Sequence, residues 1–138
     1  MDDEKRKISQ VSTAVLAYIG DAVYEQYVRR HVFQKGLLKP ERLHKASVVY
    51  VRAEAQAEAV RQLQGELTSD EQSVVRRGKN HKITSMPHNV DINTYKQATA
   101  FEALIGYVNL SGDIDREREL IRRTFDIIET SEIKSMRK

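Results

Sequence analysis

Two carboxylates stand alone in apolar surroundings. Asp21 sits within Ala14–Tyr24 (AVLAYIGDAVY) and Glu102 within Ala98–Val108 (ATAFEALIGYV), and each is the only charge in its window. Both windows read as core-facing helix, where an ionised acid costs several kcal/mol or more unless it is compensated. Neither window contains a Lys or Arg to do so. A divalent cation held between the two segments would compensate both acids at once, which points to metal-dependent hydrolysis. Glu25 lies four residues beyond Asp21, on the same helix face, as a candidate second carboxylate. Glu102 has no acid at 98, 99, 105 or 106, so tertiary packing must bring it to Asp21. Small residues at Ala17, Gly20, Ala22, Ala98, Ala103 and Gly106 would let two helices approach closely. The competing explanation is a pair of rim carboxylates matched to distant arginines.

Other chemistries fare worse. Cysteine is absent, which excludes disulfides, thiolate metal sites and thiol nucleophiles. There is no H-E-x-x-H, P-loop or G-x-G-x-x-G. The histidines at 31, 44, 81 and 88 sit in basic or polar stretches and read as surface residues or phosphate contacts. Positive charge is segregated. Residues 27–52 hold seven Lys or Arg against Glu41 alone, residues 76–97 hold five against Asp91 alone, and residues 53–75 hold five acids against Arg61. A basic face follows from that alternation. Its densest element is Arg76-Arg77-Gly-Lys79-Asn80-His-Lys82, suited to phosphate oxygens. Without aromatics it fits a duplex read by shape rather than stacked single strands.

The elements that must position these groups are helical. Six Gly, two Pro and the Ala, Leu, Glu, Arg and Gln content predict an all-α chain of five to seven helices, with no hairpin signal. Ser12 or Thr13 caps a first helix to about His31, with Gly36 in the loop after it. Pro40 opens a second that continues to Leu63, with 48, 51, 55, 59 and 63 at helical spacing. Thr68 or Ser69 caps a short helix that Gly78 ends. Residues 79–93, containing Pro87, form a long polar connection of a length uncommon in a compact domain without function or disorder. Thr94 opens the Glu102 helix, which runs to about Leu110. A last helix spans 115–130, with Leu120, Ile121, Phe125, Ile127 and Ile128 inward. The expectation is one domain over 1–138, its core at about 10–130 and its ends frayed. With no apolar leader and no membrane-length apolar run, a cytoplasmic protein is expected.

Tyr18–Tyr24 (YIGDAVY) resembles the signature helix of ribonuclease III catalytic domains, and Phe101–Val108 (FEALIGYV) resembles their second acidic helix. With Leu43-His44-Lys45 and Arg77-Gly-Lys-Asn80, the chain is more closely similar to the Mini-ribonuclease III branch, which has no separate double-stranded-RNA-binding domain. The resemblance implies an all-α homodimer that cuts double-stranded RNA with Mg²⁺, leaving 5′-phosphate and 3′-hydroxyl ends. The implied substrate is precursor ribosomal RNA, trimmed at both ends of 23S, with a ribosomal protein as candidate presenter. Asp21 and Glu102 match the catalytic, metal-holding acids. Arg76, Arg77, Lys79, Asn80, Lys82, His44 and Lys45 are the expected RNA contacts. Three further family acids are replaced by Ala14, Ala17 and Thr99, so Glu25, Asp91, Thr99 or waters are the candidates to complete the metal shell. Those losses support a rival expectation, a catalytically impaired RNA-binding or ribosome-assembly module on the same frame. A weaker one is a helical adaptor with no affinity for RNA.

Overall fold

The computed structural model describes residues 7–136 except Ser9, Thr84, Met86 and Pro87; the expected fraying at the extreme ends and the part played by Pro87 lie outside the described residues. Among the described residues six α-helices are delimited: α1 (Thr13–Phe33), α2 (Pro40–Val51), α3 (Ala53–Leu63), α4 (Ser69–Lys79), α5 (Ile92–Leu110) and α6 (Ile114–Met136). A 3-10 turn, Gln64–Glu66, follows α3, and no strand occurs among the described residues.

Helix α5 is the axle. From Ala98 to Val108 every residue except Thr99 and Glu102 is buried, so it is apolar almost all round, as a helix enclosed by others must be. Helices α1, α3, α4 and α6 pack around it. Asp91 starts α5, its carboxylate accepting from the Thr94 backbone N–H at 3.2 Å and hydroxyl at 3.1 Å. The helix therefore begins two residues before the expected Thr94. The expected inward face of α6 is buried, but the helix continues past 130 to Met136.

The expected single helix from Pro40 to Leu63 is broken at Arg52, which is extended (φ −63°, ψ 152°). Two carbonyls freed at the break are taken by side chains. The Tyr24 hydroxyl donates to Tyr50 O at 2.8 Å, and Gln56 Nε2 donates to Val51 O at 3.2 Å. Buried backbone acceptors need such partners, and these two make the break tolerable. It lets α2 lie against α1 while α3 turns onto α5.

Polar ties hold the periphery. Thr68 and Glu71 form a capping box at α4, and buried Glu71 also pairs with Arg116 of α6 at 2.7 Å. At the far end of α1, Glu129 of α6 accepts from Tyr50 (2.6 Å) and Lys35 (3.1 Å) and contacts His31 Nε2 (2.7 Å). Burial alone would raise the Glu129 carboxyl, but these hydrogen bonds outweigh it and hold it at about 2.

Candidate active site

Glycine decides where the two acids meet. A Cβ on Gly20 of α1 would lie 1.7 Å from the Glu102 carbonyl oxygen and 2.8 Å from Gly106 N. A Cβ on Gly106 of α5 would lie 1.9 Å from the Leu16 carbonyl oxygen. The helices thus cross with backbone against backbone, a separation that any side chain at either position would forbid. Asp21 follows Gly20 directly, and Glu102 is itself the residue Gly20 touches. Their side chains come within hydrogen-bonding reach of each other.

The pair is asymmetric. Glu102 is half-buried, whereas Asp21 is exposed. The expectation that both acids face the core is corrected for Asp21. Its window is apolar because α1 buries Leu16, Tyr24 and Val28 on one side while exposing Val15 and Tyr18 on another, and the aspartate lies off the buried stripe. Burial pushes the Glu102 carboxyl up, the charge of Asp21 and the hydrogen bond between them add to the rise, and the nearby Gln56 amide opposes it. The net value is about 8. No Lys or Arg pairs with either acid among the described residues, so distant arginines do not compensate them.

Members of the ribonuclease III family are generally metal-dependent, and the donor set fits a hard divalent ion. It offers two carboxylates, one open to water, and a glutamate that holds a proton at neutral pH until positive charge arrives. No third acid, histidine or cysteine joins them in a metal-sized group among the described residues. Glu25 pairs instead with Arg29 at 3.3 Å. Asp91 is spent on the α5 cap, and the Thr99 hydroxyl donates to Tyr95 O at 3.0 Å.

The basic residues come from two elements, α4 and α2. Arg76, Arg77 and Lys79 occupy the last turn of α4, and Asn80 caps it. Gly78, expected to end this helix and free its backbone for phosphates, lies inside it and is buried. Its role is contact: a Cβ there would lie 2.6 Å from Ala100 Cα. That contact pins the basic end of α4 to α5 two residues before Glu102. His44, from α2, lines a groove of about 330 Å³ with Glu25, one turn along α1 from Asp21, and Arg29, a turn further on; the neighbouring Lys45 is exposed. None of Arg76, Arg77, Lys79, Lys82 and Lys45 forms an ion pair among the described residues.

Residues 14–113 match the family model of the ribonuclease III domain. A Mini-ribonuclease 3 from Brevibacillus brevis is 50% identical over 83% of this chain and 86% of its own length. The chain belongs to the Mini-ribonuclease 3 family. A second member, from a Thermoanaerobacter species, is 39% identical over 91% of this chain and 88% of its own. A crystal structure of a Fusobacterium nucleatum protein superposes with a TM-score of 0.78 at 27% identity, covering 85% of this chain and 93% of that one. Like the other members of the Mini-ribonuclease 3 family, the chain is an endoribonuclease on the ribonuclease III fold. Gln56, whose amide bonds the Val51 carbonyl at the break before α3, is a buried polar residue that sequence reasoning did not single out. It is a polar side chain on the buried stripe of α3, beside Ala59, Val60 and Leu63, and that misplacement is the signal that could have found it.

Proposed function

We propose that this endoribonuclease hydrolyses double-stranded RNA with Mg²⁺ held by Asp21 and Glu102, and acts as a homodimer in the cytoplasm on the two ends of the 23S ribosomal RNA precursor. The observation that carries the reading is the backbone crossing at Gly20 and Gly106, which sets two otherwise uncompensated acids side by side. When bound, the ion supplies Lewis acidity toward the scissile phosphate and an attacking water. Asp21 stays hydrated and ready to accept the ion and substrate together. Glu102 gives up its proton as positive charge arrives. Arg76, Arg77, Lys79, Asn80 and Lys82 from α4 and the residues after it, with His44 and Lys45 from α2, hold phosphates so that one strand lies across the two carboxylates.

Dimerisation is supported by Val15 and Tyr18, exposed on α1 in the two turns before Asp21, and by exposed Ile92 at the start of α5. Presentation of the substrate by a ribosomal protein belongs to the same reading. Faster cleavage of precursor RNA in ribosomal particles than as naked RNA would support it.

The decisive experiment is cleavage of a structured duplex RNA in Mg²⁺ or EDTA by the parent, Asp21→Asn and Glu102→Gln. The expected result is cleavage by the parent in Mg²⁺ alone, with both variants folded and at least about 10³-fold slower. RNA binding by the parent without cleavage would favour the impaired binding module. Full activity in either variant would remove the site.

A further inference from the structure

We propose that a cavity lined by α1, α5 and α6 binds a nucleoside monophosphate, its phosphate between Arg30 and Arg118 and its base along the His31–Phe125 ring pair. The cavity encloses about 360 Å³, room for one small ligand. It is separate from the two acids. Val23, Tyr27, Arg30 and Gln34 line it from one face of α1, and at about 100° per residue Arg30 stands about 180° round that helix from Asp21. A strand crossing Asp21 therefore runs on the opposite flank of α1.

The lining is held by a fixed polar frame. Glu117 of α6 is only 6% exposed, and its carboxylate accepts from the Tyr27 hydroxyl of α1 and from Asn109 Nδ2 of α5 at 2.9 Å. Both donors are neutral, and each carboxylate oxygen keeps a lone pair suited to a ribose hydroxyl. Arg30 of α1 and Arg118 of α6 line the same cavity, and neither forms an ion pair among the described residues. A phosphate taken between them would relieve their mutual repulsion and use the planar fork of each guanidinium. His31 stacks on Phe125 with ring centroids 4.3 Å apart and planes 23° from parallel, and both rings line the cavity. A flat base gains from such a surface, and the Gln34 amide offers its edge a donor and an acceptor. A bare anion would leave the rings and the amide unused.

The test is calorimetry of the full chain in EDTA, with AMP, GMP, CMP, UMP, inorganic phosphate and adenosine as probes. At least one nucleotide should bind, and phosphate and adenosine should each bind about tenfold or more weakly than it does. Arg30→Gln and Arg118→Gln should each weaken the nucleotide by about tenfold or more. Arg122→Gln, at an exposed position one turn along α6 from Arg118, and Asp21→Asn should leave it within about twofold. Amide NMR shifts on binding should centre on Val23, Gln34 and Asn109. Binding by none of the four nucleotides, or phosphate binding as tightly as they do, would overturn the inference; Arg30 and Arg118 would then only offset the buried Glu117 charge. Parent-like affinity in both arginine variants would overturn it too. So would loss of binding in Asp21→Asn or displacement by duplex RNA, since the nucleotide would then sit at the two acids. If either glutamine variant does not fold, Arg30→Lys or Arg118→Lys, which keeps the charge and removes the fork, carries the same measurement.

Discussion

Replacing Gly20 by Ala is the sharpest probe of how the site is built. The new Cβ would start 1.7 Å from the Glu102 carbonyl oxygen and 2.7 Å from its carbon. Real Cβ atoms essentially never approach closer than 3.0 Å, so α1 and α5 must part by about 1.3 Å at the crossing. The obstructing atoms are backbone within a buried helix, so no side-chain rotation relieves the clash. A gap of 0.5–1 Å already forfeits about a quarter to a half of the dispersion attraction between facing atoms. Leu16, whose carbonyl meets Gly106, and the Tyr24–Phe101 pair, with ring centroids 4.8 Å apart across the two helices, would feel it. Overpacking of this kind costs about 1–3 kcal/mol, and the better helix propensity of Ala returns about 1 kcal/mol.

The activity should fall further than the stability. A net loss of at most about 2 kcal/mol lowers Tm by no more than roughly 8 °C for a chain of this length and leaves the protein folded at 25 °C. A displacement of about 1 Å between groups that must act together costs on the order of 10²-fold in rate. The assay is kcat/KM on a duplex RNA beside a thermal melt, with Gly65→Ala as control. No atom lies within 4 Å of a Cβ at Gly65, so that variant should keep full activity and match or slightly exceed the parent's Tm. A Gly20→Ala protein with the parent's Tm and kcat/KM would refute the backbone contact and, with it, the geometry that joins the two acids.

Three further outcomes are expected. Glu102 binds a proton in the folded chain up to about pH 8 that the unfolded chain releases near pH 4.5, so in EDTA its contribution destabilises the fold increasingly across that interval. Glu102→Gln should therefore melt higher than the parent at pH 8, with the gap closing toward pH 5; a pH-independent gap would contradict the burial of that carboxyl. For the same reason Mn²⁺ affinity of the RNA-free parent should rise by up to about tenfold per pH unit toward pH 8 and then level, and a flat calorimetric titration series from pH 6 to 9 would show that Glu102 does not take the ion. Arg76→Ala and Lys79→Ala, at the exposed and half-buried positions of the last turn of α4, should each weaken duplex binding and reduce the slope of log K against log salt by about one; slopes equal to the parent's would place the RNA elsewhere.

The helices and the meeting of the acids were legible because each left a local chemical mark. Pro40, the Thr68 cap and the inward face of α6 lie where sequence periodicity and capping chemistry put them. The small residues at Gly20 and Gly106 announced a close crossing before any geometry was known. What stayed hidden depends on partners distant in sequence. Nothing near Arg52 announces a break, because the groups that make it tolerable are Tyr24, twenty-six residues before Tyr50, and a glutamine in the following helix. Gly78 looked like a helix stop because its partner, Ala100, belongs to another helix.

The exposure of Asp21 was hidden for a related reason. An apolar window reports that side chains need cover, and says nothing of which ones a neighbouring helix supplies it to. On α1 that cover goes to Leu16, Gly20, Tyr24 and Val28, so the aspartate one residue past Gly20 falls at the edge of the seam. Glu102 projects from the helix that every neighbour encloses and is drawn half under. One crossing thus yields a hydrated acid and a desolvated one. On the proposed reading, that difference lets a site with Ala14, Ala17 and Thr99 in place of further acids remain electrostatically demanding: the half-buried carboxylate would supply the need for a cation, and the exposed one would leave room for water and phosphate to complete its shell.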